Sequence, residues 1–234
     1  MIKALQFLSN RKQSFDGNYL LVGDNDFLYL FIKNQIIDKS QKKDEIFIFD
    51  CSDKSDSMDK LVNALSSQDL FSNAKLIIIK NINKLNKKNS EILLSNINSD
   101  LPHQLLCIDN NFLSYDYKTK SNIIKNQSSK EFSKIFNTID ISTPFESEMN
   151  QWVHLFADEL NIKISSAYSK KMIEIFGNNF SEIFNEMSKS SLLSNDEEYL
   201  LELLETSKVH KNKQLWELNY AICDRRVDSI FENG

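Results

Sequence analysis

Through the first 143 residues, short apolar runs alternate with stretches whose apolar residues recur at helical spacing. Tyr19, Leu20, Leu21 and Val22 form one run, closed by Gly23. Phe27, Leu28, Phe31, Ile32 and Ile36 then fall on one side of a helix that Asp24 or Asn25 can cap. The run 46–49 predicts a second strand, followed by a helix carrying Met58, Leu61, Val62 and Leu65. Leu76, Ile77, Ile78 and Ile79 give the strongest strand pattern in the chain, being mostly β-branched. Ile92, Leu93 and Ile97 predict another helix, and Leu105 to Ile108 another strand. Ile123 and Ile124 predict a short helix before a last strand near Ile139 and Ile141. Strands that are apolar throughout and separated by helices indicate a parallel sheet covered on both faces, so the first domain reads as α/β.

From Pro144 onward the pattern is helical. Trp152, Val153, Leu155, Phe156 and Leu160 make one stripe, and Ala167, Met172, Ile173, Ile175 and Phe176 a second that Gly177 can terminate. Phe180, Ile183, Phe184 and Met187 follow the i, i+3, i+4, i+7 spacing of a third helix, and Leu200, Leu203 and Leu204 begin a fourth. These elements predict a compact helical bundle, with Ser142-Thr143-Pro144 as the joint because proline restricts the residue before it. A last amphipathic helix is predicted within 214–230, with Leu215, Trp216, Leu218 and Ile222 on its apolar side.

Composition narrows the class. The chain has 234 residues, 41% of them hydrophobic, with 16 Phe but only 4 Gly and 2 Pro, which fits a globular protein of about two domains. No apolar run approaches the roughly 18 to 20 residues of a membrane span, and a cytoplasmic location is expected. Cys51, Cys107 and Cys223 are too few and too far apart for a disulfide framework or a metal knuckle, and read as reduced thiols. His103, His154 and His210 stand alone, without metal-ligand spacing, so no metal is expected. A net charge of −5 is not that of a domain that coats nucleic acid on its own.

An α/β domain followed by a small helical bundle is the layout of many nucleotide-driven machines, which places a phosphate loop at the first strand-to-helix turn. Such a loop needs GxxxxGK[ST]. The turn here reads Gly23-Asp24-Asn25-Asp26-Phe27-Leu28, with one glycine, no lysine and two carboxylates that would repel a triphosphate. Two acids at this place are the ordinary capping and dipole arrangement of a helix start. No nucleotide cofactor and no catalytic residue is expected. Asp109 ends an apolar strand, where an ATPase holds its metal-binding acid, but without a phosphate loop it reads as a strand-end carboxylate.

The ordered segments together resemble the delta subunit of the bacterial DNA polymerase III clamp loader. Tyr19-Leu20-Leu21-Val22-Gly23-Asp24-Asn25-Asp26-Phe27-Leu28 is similar to that family's opening strand and turn. Phe49-Asp50, the helix from Met58, and Asp69-Leu70-Phe71-Ser72-Asn73-Ala74-Lys75-Leu76-Ile77 resemble its second strand, helix, clamp-binding turn and third strand. Trp152, Leu160 to Ala167 and Phe176-Gly177-Asn178-Asn179-Phe180 resemble its lid helices. The resemblance implies a parallel-sheet AAA+-like domain without an ATP site over 1–143 and an all-α lid over 144–207. It also implies the first helix of a collar domain over 208–234, so the sequence reads as truncated within that domain, as a gene fragment or other partial sequence or as a natural short form. Leu70 and Phe71 match the pair that enters the sliding clamp's hydrophobic pocket, with Gln68, Asp69 and Ser72 as supporting contacts. From spacing alone, a Leu-Phe pair packs beneath its own helix. The function implied is non-catalytic: a wrench that binds the clamp and traps its open state for loading on DNA. The implied partners are the beta clamp, gamma/tau and delta-prime type loader subunits, and primed DNA reached through the complex.

Two other readings stand beside this one. A divergent AAA+ ATPase lacks its Gly-Lys-Ser/Thr here. A nucleic-acid-binding module would use Lys84, Lys87, Lys88, Lys118, Lys120 and Lys125 as a phosphate track, but no aromatic residues are regularly interleaved with them for stacking.

Overall fold

A computed structural model gives the architecture, and it describes residues 1–10, 15, 17–39, 45–53, 56–66, 75–97, 103–111, 113–118, 121–193, 199, 201–202 and 204–205. The chain divides into two compact units between Thr143 and Pro144.

The first unit is built on a six-stranded parallel sheet. Its strands are β1 (Ile2–Lys3), β2 (Tyr19–Val22), β3 (Ile46–Asp50), β4 (Leu76–Lys80), β5 (Gln104–Asp109) and β8 (Asn137–Asp140), in spatial order β1-β8-β2-β5-β4-β3. Helices α1 (Ala4–Ser9), α2 (Asp26–Lys39), α3 (Met58–Ser66), α4 (Lys87–Asn96) and α5 (Gln127–Phe132) connect them, with a single 3-10 turn at Ile82–Lys84. One face of the sheet, carrying Leu20, Ile77, Ile79 and Leu105, packs with Leu61 and Leu65 of α3, Leu93 of α4 and Phe132 of α5. Their alternates Leu21, Ile78 and Leu106 are equally buried, because successive strand residues point to opposite faces and a second helical layer lies there. That layer includes α1, whose Phe7 meets Tyr19 edge-on at 5.5 Å, and α2, which buries Leu28, Ile32 and Ile36. Full burial of one such side chain contributes about 1.5 to 3 kcal/mol, which makes the two-sided sheet the main source of this unit's stability.

The α/β pattern expected from the sequence is the one observed, with three differences. Residues 46–49 form an edge strand with one open face: Ile46 is 41% and Ile48 54% exposed. A short apolar run looks the same at the centre of a sheet and at its edge, so periodicity does not separate the two. Ile123 ends a strand rather than starting a helix. The segment forms an antiparallel hairpin of β6 (Ser114–Asp116) and β7 (Ser121–Ile123), and the helix begins only at Gln127, after Asn126 caps it by accepting from the Ser129 amide. Finally, β1 and α1 were not anticipated, because the polar residues mixed among Leu5, Phe7 and Leu8 hide a single turn and a half of helix.

The second unit contains α6 (Met149–Glu159), α7 (Ser166–Phe176) and α8 (Phe180–Leu193), each at the place its apolar spacing predicts. Ser165 caps α7 by accepting from the amides of Ala167 and Tyr168, and Gly177 ends it at φ +60°. An aromatic cluster holds the unit: Trp152 lies 4.9 Å from Phe180, and Phe156 meets Phe180 and Phe184 edge-on at 5.6 and 5.3 Å. Residues 201–202 and 204–205 are helical, with Leu204 buried. The helix anticipated within 214–230 lies outside the described residues.

Candidate functional site

Strand order reverses at β2. The chain leaves β2 for the far edge, returns through β4 to β5 on one side of it, and then crosses to β8 on the other. The carboxyl end of β2 is therefore the switch point at which open α/β sheets bind ligands, and Gly23 begins the turn that sits there.

That turn is closed on its own backbone. The Gly23 amide donates to the Asp109 carbonyl at the end of β5 (3.1 Å), and the Asn25 amide donates to the Ile141 carbonyl just past β8 (3.2 Å). These are the donors a phosphate cradle would aim outward. Asn25, not Asp24, is the cap of α2: its side-chain oxygen accepts from the Leu28 amide at 3.0 Å. Asp24 instead accepts from the amide and hydroxyl of Thr143, at 3.2 and 3.3 Å, and so fastens the turn to the last residue of the unit. Gly23 has φ +149°, and a Cβ placed on it would lie 2.4 Å from the Ser142 nitrogen, so only glycine fits where the turn passes β8.

The carboxylates nearby are similarly engaged. Asp109 is 1% exposed and accepts from the Ser129 hydroxyl and the Asn111 side chain. Asp140 accepts from the amide and hydroxyl of Ser142 and from the Asn122 side chain of the hairpin. Asp50, at the end of β3, is pushed up by burial, but hydrogen bonds from Asn81 and Ser52 and the charge of Lys80 outweigh this and hold its carboxyl below the usual range. Burial, followed by the charge of Asp50, raises the Cys51 thiol to about 12, and burial raises the Cys107 thiol still further. No cluster of three or more His, Cys, Asp or Glu suited to a metal occurs among the described residues.

Between the ends of β2 and β5 and the base of the hairpin lies a cleft of about 340 Å³, lined by Val22, Asp109, Asn111, Leu113, Ile124, Lys125 and Asn126. Lys125 is exposed, and the Asn126 side chain reaches the Asn83 carbonyl at 3.3 Å, which brings Lys84 to the same neighbourhood. Lys87 and Lys88 are exposed in the first turn of α4, and Lys87 lies 3.9 Å from Glu91. Lys120 lies outside the described residues, as do Gln68, Asp69, Leu70, Phe71 and Ser72. The structure places the two elements that bracket them: α3, which buries Leu61 and Leu65, and β4.

One feature of the lysine-rich stretch was missed in the sequence. Tyr115 and Tyr117 stand directly before Lys118 and are 42% and 85% exposed, so aromatic rings do accompany a lysine here. The alternation of Ser114, Tyr115, Asp116 and Tyr117 is a strand signal that the isoleucines after it obscured.

A parallel α/β domain whose nucleotide turn is shut by its own strand ends, followed by a helical unit, is an AAA+-like architecture. Over residues 19–111 the sequence matches the family described as DNA polymerase III, delta subunit, which upholds for this stretch the resemblance seen in the sequence. Among solved structures, the Bacillus subtilis DNA clamp loader delta protein has a similar fold, with a TM-score of 0.67 at 16% identity over 97% of this chain and 68% of that one. A Thermotoga maritima RuvB Holliday junction branch migration motor aligns at a TM-score of 0.45 and 16% identity, over 87% of this chain and 65% of that one. No curated protein matches. Among the described residues, no helix is long and apolar enough to cross a membrane.

Proposed function

We propose that the chain acts as a delta-type clamp-loader subunit that grips the sliding clamp and favours its open state without nucleotide chemistry of its own. The observation that carries this reading is the closed turn at the switch point, in the same stretch that matches the delta family. With the Gly23 and Asn25 amides committed to β5 and β8, the turn has no cradle to offer a triphosphate. What remains for such a domain is binding.

Leu70 and Phe71 are the anchor in this reading. In the sequence they are two adjacent apolar residues bounded by Gln68 and Asp69 before and Ser72 and Asn73 after, a composition that suits a hot spot within a polar rim. A clamp ring with a minor open state is shifted toward opening by any partner that binds the open state better, by as much as the difference in affinity. ATP hydrolysis in partner subunits would govern when the pair is exposed.

Retention of the cognate sliding clamp by the chain and by a Leu70→Ala, Phe71→Ala variant tests this. Loss of two anchors of about 1.5 to 3 kcal/mol each weakens binding by at least a hundredfold. Equal retention by both proteins removes the anchor, and absence of binding by the unaltered chain removes the function. In parallel, a melting-temperature rise on adding Mg-ATP would favour the divergent ATPase instead.

A further inference from the structure

The β6–β7 hairpin carries two large rings that lie outside the buried core. Tyr117 is 85% exposed and Tyr115 42%, and the two meet edge-on with centroids 5.2 Å apart. A two-stranded hairpin of three residue pairs is marginal by itself, yet this one is tied to the sheet. Asn122, the partner of Tyr115 across the hairpin, donates to the Asp140 carboxylate at 2.8 Å and to the Ser142 hydroxyl at 3.3 Å. The rings are thus held at the carboxyl end of the sheet.

Exposed lysines stand in and next to this hairpin. Lys118 follows Tyr117 directly and is exposed, and Lys125 lies just past β7 on the wall of the cleft. The Asn126 side chain donates to the Asn83 carbonyl at 3.3 Å, and the exposed Lys84 is the next residue after Asn83. The acid of the hairpin, Asp116, accepts from the Lys118 amide at 3.0 Å and is the one carboxylate between the two rings in sequence. Exposed rings on a tethered hairpin with cations beside them match the recognition chemistry of an unpaired nucleic-acid strand, in which bases stack on aromatic faces and phosphates pair with lysines. A duplex keeps its bases stacked on one another and offers those rings nothing.

We propose that the β6–β7 hairpin is a contact for single-stranded nucleic acid, with Tyr115 and Tyr117 stacking on bases and Lys84, Lys118 and Lys125 pairing with phosphates. It uses residues other than Leu70 and Phe71, and it stands whether or not that pair binds a clamp.

Fluorescence anisotropy of a labelled 12-nucleotide oligothymidylate, titrated with the 234-residue chain, reads it. Three phosphate contacts give a slope of log Kd against log salt of about 2, or nearly a twentyfold weakening between 50 and 200 mM salt. Lys84→Gln, Lys118→Gln, Lys125→Gln flattens that slope. Tyr115→Ser, Tyr117→Ser weakens binding by tenfold or more at fixed salt, whereas Tyr115→Phe, Tyr117→Phe retains it, since stacking needs the ring and not the hydroxyl. The Leu70→Ala, Phe71→Ala variant binds the oligonucleotide like the unaltered chain, which separates this contact from the clamp anchor. The proposal is overturned if the unaltered chain does not bind, if the serine variant binds equally, or if duplex of the same length is preferred. It also fails if the serine variant loses only a protein partner.

Discussion

Replacing Gly23 by alanine is the sharpest probe of the closed turn. The new Cβ would lie 2.4 Å from the Ser142 nitrogen and 2.5 Å from the Ile141 carbonyl carbon, both backbone atoms of the chain leaving β8, which no rotamer change can move. In addition, φ +149° is a conformation that alanine adopts at a cost of about 1 to 3 kcal/mol. Clash and strain together cost about 4 kcal/mol, a large part of the 5 to 15 kcal/mol that typically separates folded from unfolded states. At about 3 °C per kcal/mol, Gly23→Ala lowers the melting temperature by about 12 °C, read by far-UV circular dichroism. Gly177→Ala is the comparison: at φ +60° and ψ −124° its backbone also lies where alanine costs about 1 to 3 kcal/mol, but its Cβ would meet nothing within 4 Å, so strain applies without clash. A Gly23→Ala melt within 3 °C of the unaltered protein, or no lower than that of Gly177→Ala, would refute the packing of the turn against β8.

Other substitutions test other parts of the structure. Because the folded Asp50 carboxyl titrates below its unfolded value near 3.8, its contribution is complete above that value and is lost as pH falls through the lower folded one. Asp50→Asn is therefore less stable than the unaltered chain at pH 6, and the gap in melting temperature closes toward pH 3; a gap that stays constant contradicts the assignment. Cys51, raised to about 12, and Cys107, higher still, should resist iodoacetamide at pH 8 in the folded protein and react fully in urea, as resolved by peptide mass spectrometry. Equal labelling of Cys107 in both states would count against its burial. Trp152→Ala removes the centre of the aromatic cluster and costs about 3 to 5 kcal/mol, seen as early loss of helical signal on urea titration.

Much of the fold was legible because its strands are short, continuous and apolar. Leu76 to Ile79 and Leu105 to Ile108 announce themselves as buried strands, and Phe180, Ile183, Phe184 and Met187 spell out a helix face. The missing lysine at the first turn was equally plain, since a phosphate loop is a matter of residue type. The commitment of the Gly23 and Asn25 amides was not legible, because it depends on where β5 and β8 end in space relative to β2. Nor was the division of labour between Asp24 and Asn25: both cap helices well, and the choice is made by Thr143, 119 residues away from Asp24. Ile123 misled because an isoleucine pair without alternation fits either period, while the tyrosines that define the hairpin lie on the strand before it.

The inward commitment of that first turn makes a fuel site hard to install there. Grafting Gly-Lys-Thr between Val22 and Phe27 would supply the letters of a phosphate loop, yet each amide turned outward would strand a carbonyl of Asp109 or Ile141 at the carboxyl end of the sheet. Building an engine here means rebuilding two neighbouring strand ends at once, a step that no single codon change supplies.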